Sequence, residues 1–139
     1  MRTFIAVNIP DDVKDVVGDY IESIKNGFHN SVKWVSPANL HFTIKFLGEI
    51  RESDLGTLKE CVSKAAAAIG PFEIGLDGVG FFPSESKPRV VWLGADDGAD
   101  NLLEIFQELE TCLEDHGYDR DAKPFSPHLT VGRAKKNGD

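Results

Sequence analysis

The run Leu40-His41-Phe42-Thr43-Ile44-Lys45-Phe46-Leu47-Gly48 sets a histidine and a threonine two residues apart, and Pro127-His128-Leu129-Thr130-Val131-Gly132-Arg133 repeats that order near the other end of the chain. No other histidine is followed by threonine at this spacing. Side chains alternate between the faces of a strand, so His41 and Thr43 share one face while Phe42, Ile44 and Phe46 share the other. His128 and Thr130 stand in the same relation to Leu129 and Val131. Two imidazoles in one site offer an acid and a base at neutral pH, because free histidine titrates near ~6.5. In-line phosphoryl transfer suits such a pair: one takes the proton of an attacking water, the other protonates the leaving oxygen. A cyclic phosphodiester fits because its leaving group is an alkoxide. The threonine hydroxyls would donate to the non-bridging oxygens, where transition-state charge gathers. The scheme requires no metal and no cofactor.

A single histidine on a strand is more often a surface or satisfied core residue than a catalyst. The duplication in matching contexts is what favours the catalytic reading. His29 and His116 lack the threonine and sit near helix ends, where solvation or a role at the C-terminal dipole is expected. Lys45 falls on the face of His41 and Thr43 and would aid the phosphate there, with an ordinary solvated lysine as the equal reading. Arg133 falls opposite His128 under strict alternation, so it reaches the site only if the strand twists or ends near Gly132. Phe82, Trp34 and Phe125 are candidate base platforms, since stacking on a ring tolerates any base. For each of the three, core packing is the stronger single reading.

The elements that must position these residues follow from periodicity. Thr3 to Ile9 reads as a strand ending at Pro10, and Val13, Val16, Val17, Tyr20, Ile21 and Ile24 form the apolar stripe of a helix with Gly27 as its stop. Ser31 to Val35 is extended, and Ser36-Pro37 breaks the chain before the first histidine strand. A second helix is expected from about Ser53 to Ile69, ended by Gly70-Pro71. Phe72, Ile74 and Leu76 then alternate as a strand, followed by a loop from Gly78 to Ser84. Arg89 to Gly94 is the next strand, with Lys87-Pro88 as its lead-in, pairing with the last as a long-looped hairpin. A third helix buries Leu102, Phe106, Leu109 and Leu113 and stops at Gly117. Tyr118 to Pro127 is irregular and delivers the second histidine strand, beyond which Lys135 to Asp139 is a polar tail. Helix, glycine, irregular connection, Ser-Pro and His-x-Thr thus occur once in each half, which predicts two related lobes facing each other.

Composition bounds the answer. A chain of 139 residues with 41% apolar content has room for one compact domain or two small lobes. No apolar run approaches the roughly 20 residues that span a bilayer, and the start lacks a signal region, so a cytosolic protein is expected. Cys61 and Cys112 have no CxxC spacing and read as buried free thiols rather than a metal site or a disulfide. The net charge of −8 argues against a broad nucleic-acid surface but leaves room for a small phosphate-bearing end held by a few cations.

Taken with Met1 to Val7, the run Trp34 to Gly48, Gly80-Phe81-Phe82-Pro83, Pro88 to Gly94 and Phe125 to Arg133, the two motifs give a chain that resembles the RNA 2′,3′-cyclic phosphodiesterases of the 2H phosphoesterase superfamily, also described as 2′-5′ RNA ligases. The resemblance covers nearly the whole chain. It implies an α+β fold of two pseudo-symmetric lobes, mainly antiparallel sheet with outer helices and a central cleft, formed by residues 1–139 as a single two-lobed domain. It implies hydrolysis of RNA 2′,3′-cyclic phosphate ends to 2′-phosphate, with His41 as acid, His128 as base, and Thr43, Thr130 and Arg133 on the phosphate. Weak 2′-5′ ligation is the implied reverse reaction. The expected partner is RNA bearing a cyclic phosphate end; no membrane or metal is expected, and the protein is expected to be a monomer. Family members usually continue past the second motif, so C-terminal strands are expected to be missing here. A non-catalytic RNA-end or nucleotide-binding module, or an enzyme for another small cyclic phosphate, is the alternative.

Overall fold

The largely apolar N-terminal run becomes β1 (Arg2–Asn8), and Pro10, which has no ladder donor to give, caps helix α1 (Asp11–Ile24) with extended dihedrals. Asp11 and Asp12 place negative charge in the first turn, against the positive end of the helix dipole. The computed structural model describes residues 1–28, 30–83 and 89–135. His29, the Lys87-Pro88 lead-in and the tail beyond Lys135 lie outside the described residues. Further along come β2 (Val32–Trp34), β3 (His41–Glu49), α2 (Leu55–Ile69), β4 (Leu76–Phe82), β5 (Val90–Ala95), α3 (Ala99–Asp115) and β6 (His128–Ala134). Both His-x-Thr strands therefore begin at their histidine. Gly70 and Gly117 close α2 and α3 with φ of 73° and 91°, a region that glycine enters without steric cost. Gly27 does not stop α1 in this way, because the chain tightens into a 3-10 turn over Lys25–Phe28.

The strands form two sheets, one of order β1-β3 and one of order β2-β6-β5-β4, with β6 antiparallel to both β2 and β5. The chain divides into two compact units, Met1–Ala6 with Thr43–Gly75 and Ala95–Pro127, and Val7–Phe42 with Leu76–Gly94 and His128–Asp139. The first packs Leu58, Cys61 and Ala65 of α2 and Leu102, Phe106, Leu109 and Leu113 of α3 into its core. The second buries Val17, Ile21, Val32, Phe42, Val91, Leu93, Leu129 and Val131. These units are not the two sequence halves: α1 belongs to the second and α3 to the first.

Several expectations are corrected. Cys61 and Cys112 are not free thiols but a disulfide joining α2 to α3, with Cα atoms 5.7 Å apart. The side-by-side packing of the two helices brings them together, which a spacing of 51 residues does not announce. The alternation through Phe72 and Ile74 is not a strand, because Gly75 exchanges backbone hydrogen bonds with the turn at Asp96 and Asp97. Strand pairing starts only at Leu76 and runs on through most of the expected Gly78–Ser84 loop. On α1, Val16 and Tyr20 stay exposed beside a shallow groove lined by Leu76, Gly78 and Leu93.

Candidate active site

Register decides which side chains share a face in the four-stranded sheet. Leu93 lies opposite Leu129 and Val91 opposite Gly132, and Val91, Leu93, Leu129, Val131 and Gly132 are all buried. The other face carries Trp92 opposite Thr130, and Gly94 opposite His128. Between Val91 and Trp92 the register shifts, so that Val131 has no partner of its own on β5. An extra residue of this kind resets the alternation. Arg133 consequently pairs with Val90, in phase with Trp92, Thr130 and His128, rather than on the opposite face as strict alternation required. The bulge, not the sequence pattern, sets Arg133 beside the motif.

The same geometry sorts the aromatic candidates. A Cβ at Gly80 would fall inside the Trp92 indole, so β4 presents Gly80 to this open face, and Phe82, two residues on, shares it. Phe82 is 62% exposed. Trp34 pairs with Gly132 on the opposite, packed face, where Phe28 meets it edge-on at 5.2 Å and Gly132 leaves room for its ring. Phe125 stacks on Phe106 at 4.8 Å with 10° between planes, in the other unit. Trp34 and Phe125 are thus occupied in packing. Sequence reasoning missed two residues: Trp92, whose ring lies 5.9 Å from that of His128, and Lys33, which pairs with Arg133. Alternation along β5 and β2 could have offered both, had the neighbouring strand been known.

His41 enters from the same unit by a fixed route. Val35 N–H bonds the Val131 carbonyl at 2.8 Å, extending the β2–β6 pairing to the threshold of the Ser36-Pro37 break. A 3-10 turn, Pro37–Asn39, then docks on α1, where Lys14 Nζ donates to the Ala38 carbonyl at 3.1 Å and Gly18 lies against the Pro37 ring. His41 follows, half-buried, with its Nδ1 2.7 Å from the Asn39 carbonyl oxygen. A carbonyl only accepts, so Nδ1 carries the hydrogen, and Nε2 is the nitrogen that gains and loses a proton. Thr43, also half-buried, shares the His41 face of β3 by alternation.

Lys45 does not serve a phosphate. Its ammonium is buried, 3% exposed, and donates to Glu110 Oε1, to Asp121 Oδ1 at 2.9 Å and to the Asp119 carbonyl at 3.0 Å. Burial by itself would lower its pKa. The hydrogen bonds and charges of Glu110 and Asp121 outweigh that and hold it above the ordinary lysine value. With Lys45 drawn inward, Phe46 stands 69% exposed against Phe4 rather than in the core.

Comparisons with known proteins give the family of the chain. The LigT like Phosphoesterase family matches over residues 7–92. The RNA 2′,3′-cyclic phosphodiesterase of Thermotoga maritima is 37% identical over 136 residues, 97% of this chain and 71% of that protein. That of Methanocaldococcus jannaschii is 38% identical over 135 residues, 97% and 72% of the respective chains. Among solved structures, TT0787 of Thermus thermophilus superposes with a TM-score of 0.80 at 28% identity, covering 100% of this chain and 77% of that one. The apo form of E. coli LigT gives 0.74 at 25%, covering 99% and 75%. With the α+β fold, the antiparallel sheet and similarity over nearly its full length, the chain belongs to the LigT-like phosphoesterase family.

Proposed function

We propose that this protein hydrolyses RNA 2′,3′-cyclic phosphate ends to 2′-phosphates, with residues 1–139 acting as a single two-lobed domain. The observation that carries the reading is the open face of the four-stranded sheet, on which the bulge in β6 groups His128, Thr130 and Arg133. The names of the Thermotoga and Methanocaldococcus relatives supply the substrate class. Water attacks phosphorus as the P–O3′ bond breaks. His128 takes the water proton and His41 gives the proton on Nε2 to the departing 3′ oxygen, so the product leaves as a 2′-phosphate and a 3′-hydroxyl. The Asn39 carbonyl keeps the His41 ring oriented in both protonation states. Thr43, Thr130 and Arg133 hold the non-bridging oxygens, Arg133 by its paired N–H donors. Phe82 is the platform for the terminal base. With an RNA 5′-hydroxyl in place of water, the same two groups would join ends through a 2′-5′ linkage, the base taking the hydroxyl proton and the acid protonating the departing 3′ oxygen.

The reaction needs no metal, and the protein works as a monomer in the cytoplasm, the compartment that holds RNA ends. Among the described residues, no helix is long and apolar enough to cross a membrane. The test is turnover of an oligonucleotide ending in a 2′,3′-cyclic phosphate, with EDTA present. Appearance of the 2′-phosphate supports the reading. Tight binding without product makes the protein an RNA-end binder instead, and preference for a cyclic mononucleotide moves the substrate class to small cyclic phosphates.

A further inference from the structure

The α2–α3 disulfide has a third residue beside it. Cys112 and His116 are one helical turn apart at the end of α3, a spacing that sets both side chains on one face. Cys61 approaches from α2. The two Sγ atoms and a ring nitrogen of His116 all lie within 4.8 Å of one another. The backbone of His116 is held in the last turn by its N–H bond to the Leu113 carbonyl at 3.0 Å. Cys61 is fully buried, Cys112 half-buried and His116 exposed, so the cluster has an apolar floor and an open mouth. That mouth gives onto a cleft also lined by Asp54, Thr57 and Tyr118.

We propose that Cys61, Cys112 and His116 form a thiol-gated zinc site, closed as a disulfide when oxidised and binding one Zn²⁺ when a dithiol reductant opens the bridge. The dithiol gives two electrons and two protons to the pair and leaves as its own disulfide. Zinc then displaces both thiol protons to solvent and takes the neutral imidazole as third ligand. Two thiolates and an imidazole are the donor set that selects zinc over magnesium or calcium. Zn–S and Zn–N bonds of about 2.0–2.3 Å put ligand atoms roughly 3.5–3.8 Å apart in a tetrahedron. The sulfurs therefore part from bonding distance while the exposed imidazole closes in by about an ångström, movements within side-chain torsion. A water from the cleft takes the fourth position. The site draws on none of the residues assigned above to phosphate chemistry.

The full chain, reduced with a phosphine and desalted without oxygen, is dialysed against Zn²⁺, and metal per chain is measured beside circular dichroism. The expected result is one zinc per reduced chain and none bound by the disulfide form. Cys112→Ser abolishes binding, and His116→Ala, whose side chain is exposed and whose disulfide is intact before reduction, weakens it by more than about tenfold. Cobalt in place of zinc should give thiolate-to-cobalt charge transfer and tetrahedral d–d bands on reduction alone. Zinc binding undiminished in both variants overturns the proposal. So does a folded reduced chain that binds no zinc, or a reduced chain that loses its helical signal and does not regain it with zinc.

Discussion

His41 and His128 differ in how they are held, and the difference bears on what each substitution should do. His41 is half-buried with Nδ1 committed to Asn39, while His128 is exposed beside Trp92. Neither fills the core, so His41→Ala and His128→Ala should fold with near-native melting temperatures while losing about 10²–10⁴-fold in cyclic-phosphate turnover. The double variant should lose little more than either single one, because the two act as a unit. Turnover close to wild type in either single variant would show that the pair is not the acid and base. Arg133→Ala should reduce kcat/KM by about 10–100-fold, the worth of a charged hydrogen bond of roughly 1.5–3 kcal/mol. Arg133→Lys should recover only part of that, since a point charge does not replace a planar fork. An Arg133→Ala enzyme with unchanged kcat/KM would place that side chain off the substrate. The two histidines stand out in the sequence because His-x-Thr occurs twice in it. Arg133 entered there only through the family resemblance, since alternation alone put it on the opposite face and a single extra residue inverts a period of two.

At the scale of the element, the open face of the sheet depends on glycines that leave space rather than on side chains that fill it. Gly80 lets the Trp92 indole lie across β4, and Gly132 receives the Trp34 ring on the packed face. Gly80→Ala should destabilise by about 1–3 kcal/mol through overpacking. Because Trp92 must then leave the flank of His128, kcat should fall as well. Thermal melts and turnover measured together check this, and an unaltered melting temperature with full activity would show that Trp92 has another place to go. The buried stripe of helix α3 was readable to the residue, since Leu102, Phe106, Leu109 and Leu113 are all buried as their period required. Strand β4 was misplaced toward Phe72 because Gly75 gives its backbone bonds to a turn more than twenty residues downstream.

For the whole molecule, the connection that follows α3 is tied down by a buried cation. Lys45, on β3, ties Glu110 of α3 to Asp119 and Asp121, at the start of the segment that delivers His128. Lys45→Met removes the cation and strands Glu110 in a buried position, so a loss of about 3–5 kcal/mol in urea unfolding is expected. Because the Lys45 pKa is raised on folding, its stabilisation is fully present below the unfolded value of about 10.4 and disappears as pH climbs through the folded one. Wild-type stability should therefore fall more steeply above about pH 10 than that of Lys45→Met, and parallel curves would show the triad is neutral. The sequence by itself determined the helices and the paired motifs, because periodicity and motif spacing are local properties that side-chain alternation and helical turn impose directly, and the family resemblance those motifs carry implied the α+β class. Tertiary structure alone decided that Cys61 meets Cys112, that Lys45 turns inward to Glu110, that Trp34 and Phe125 pack while Phe82 stands open, and that Arg133 joins the face of His128. Each of these depends on which distant element lies alongside, and on a register that one unpaired residue in β6 is enough to change.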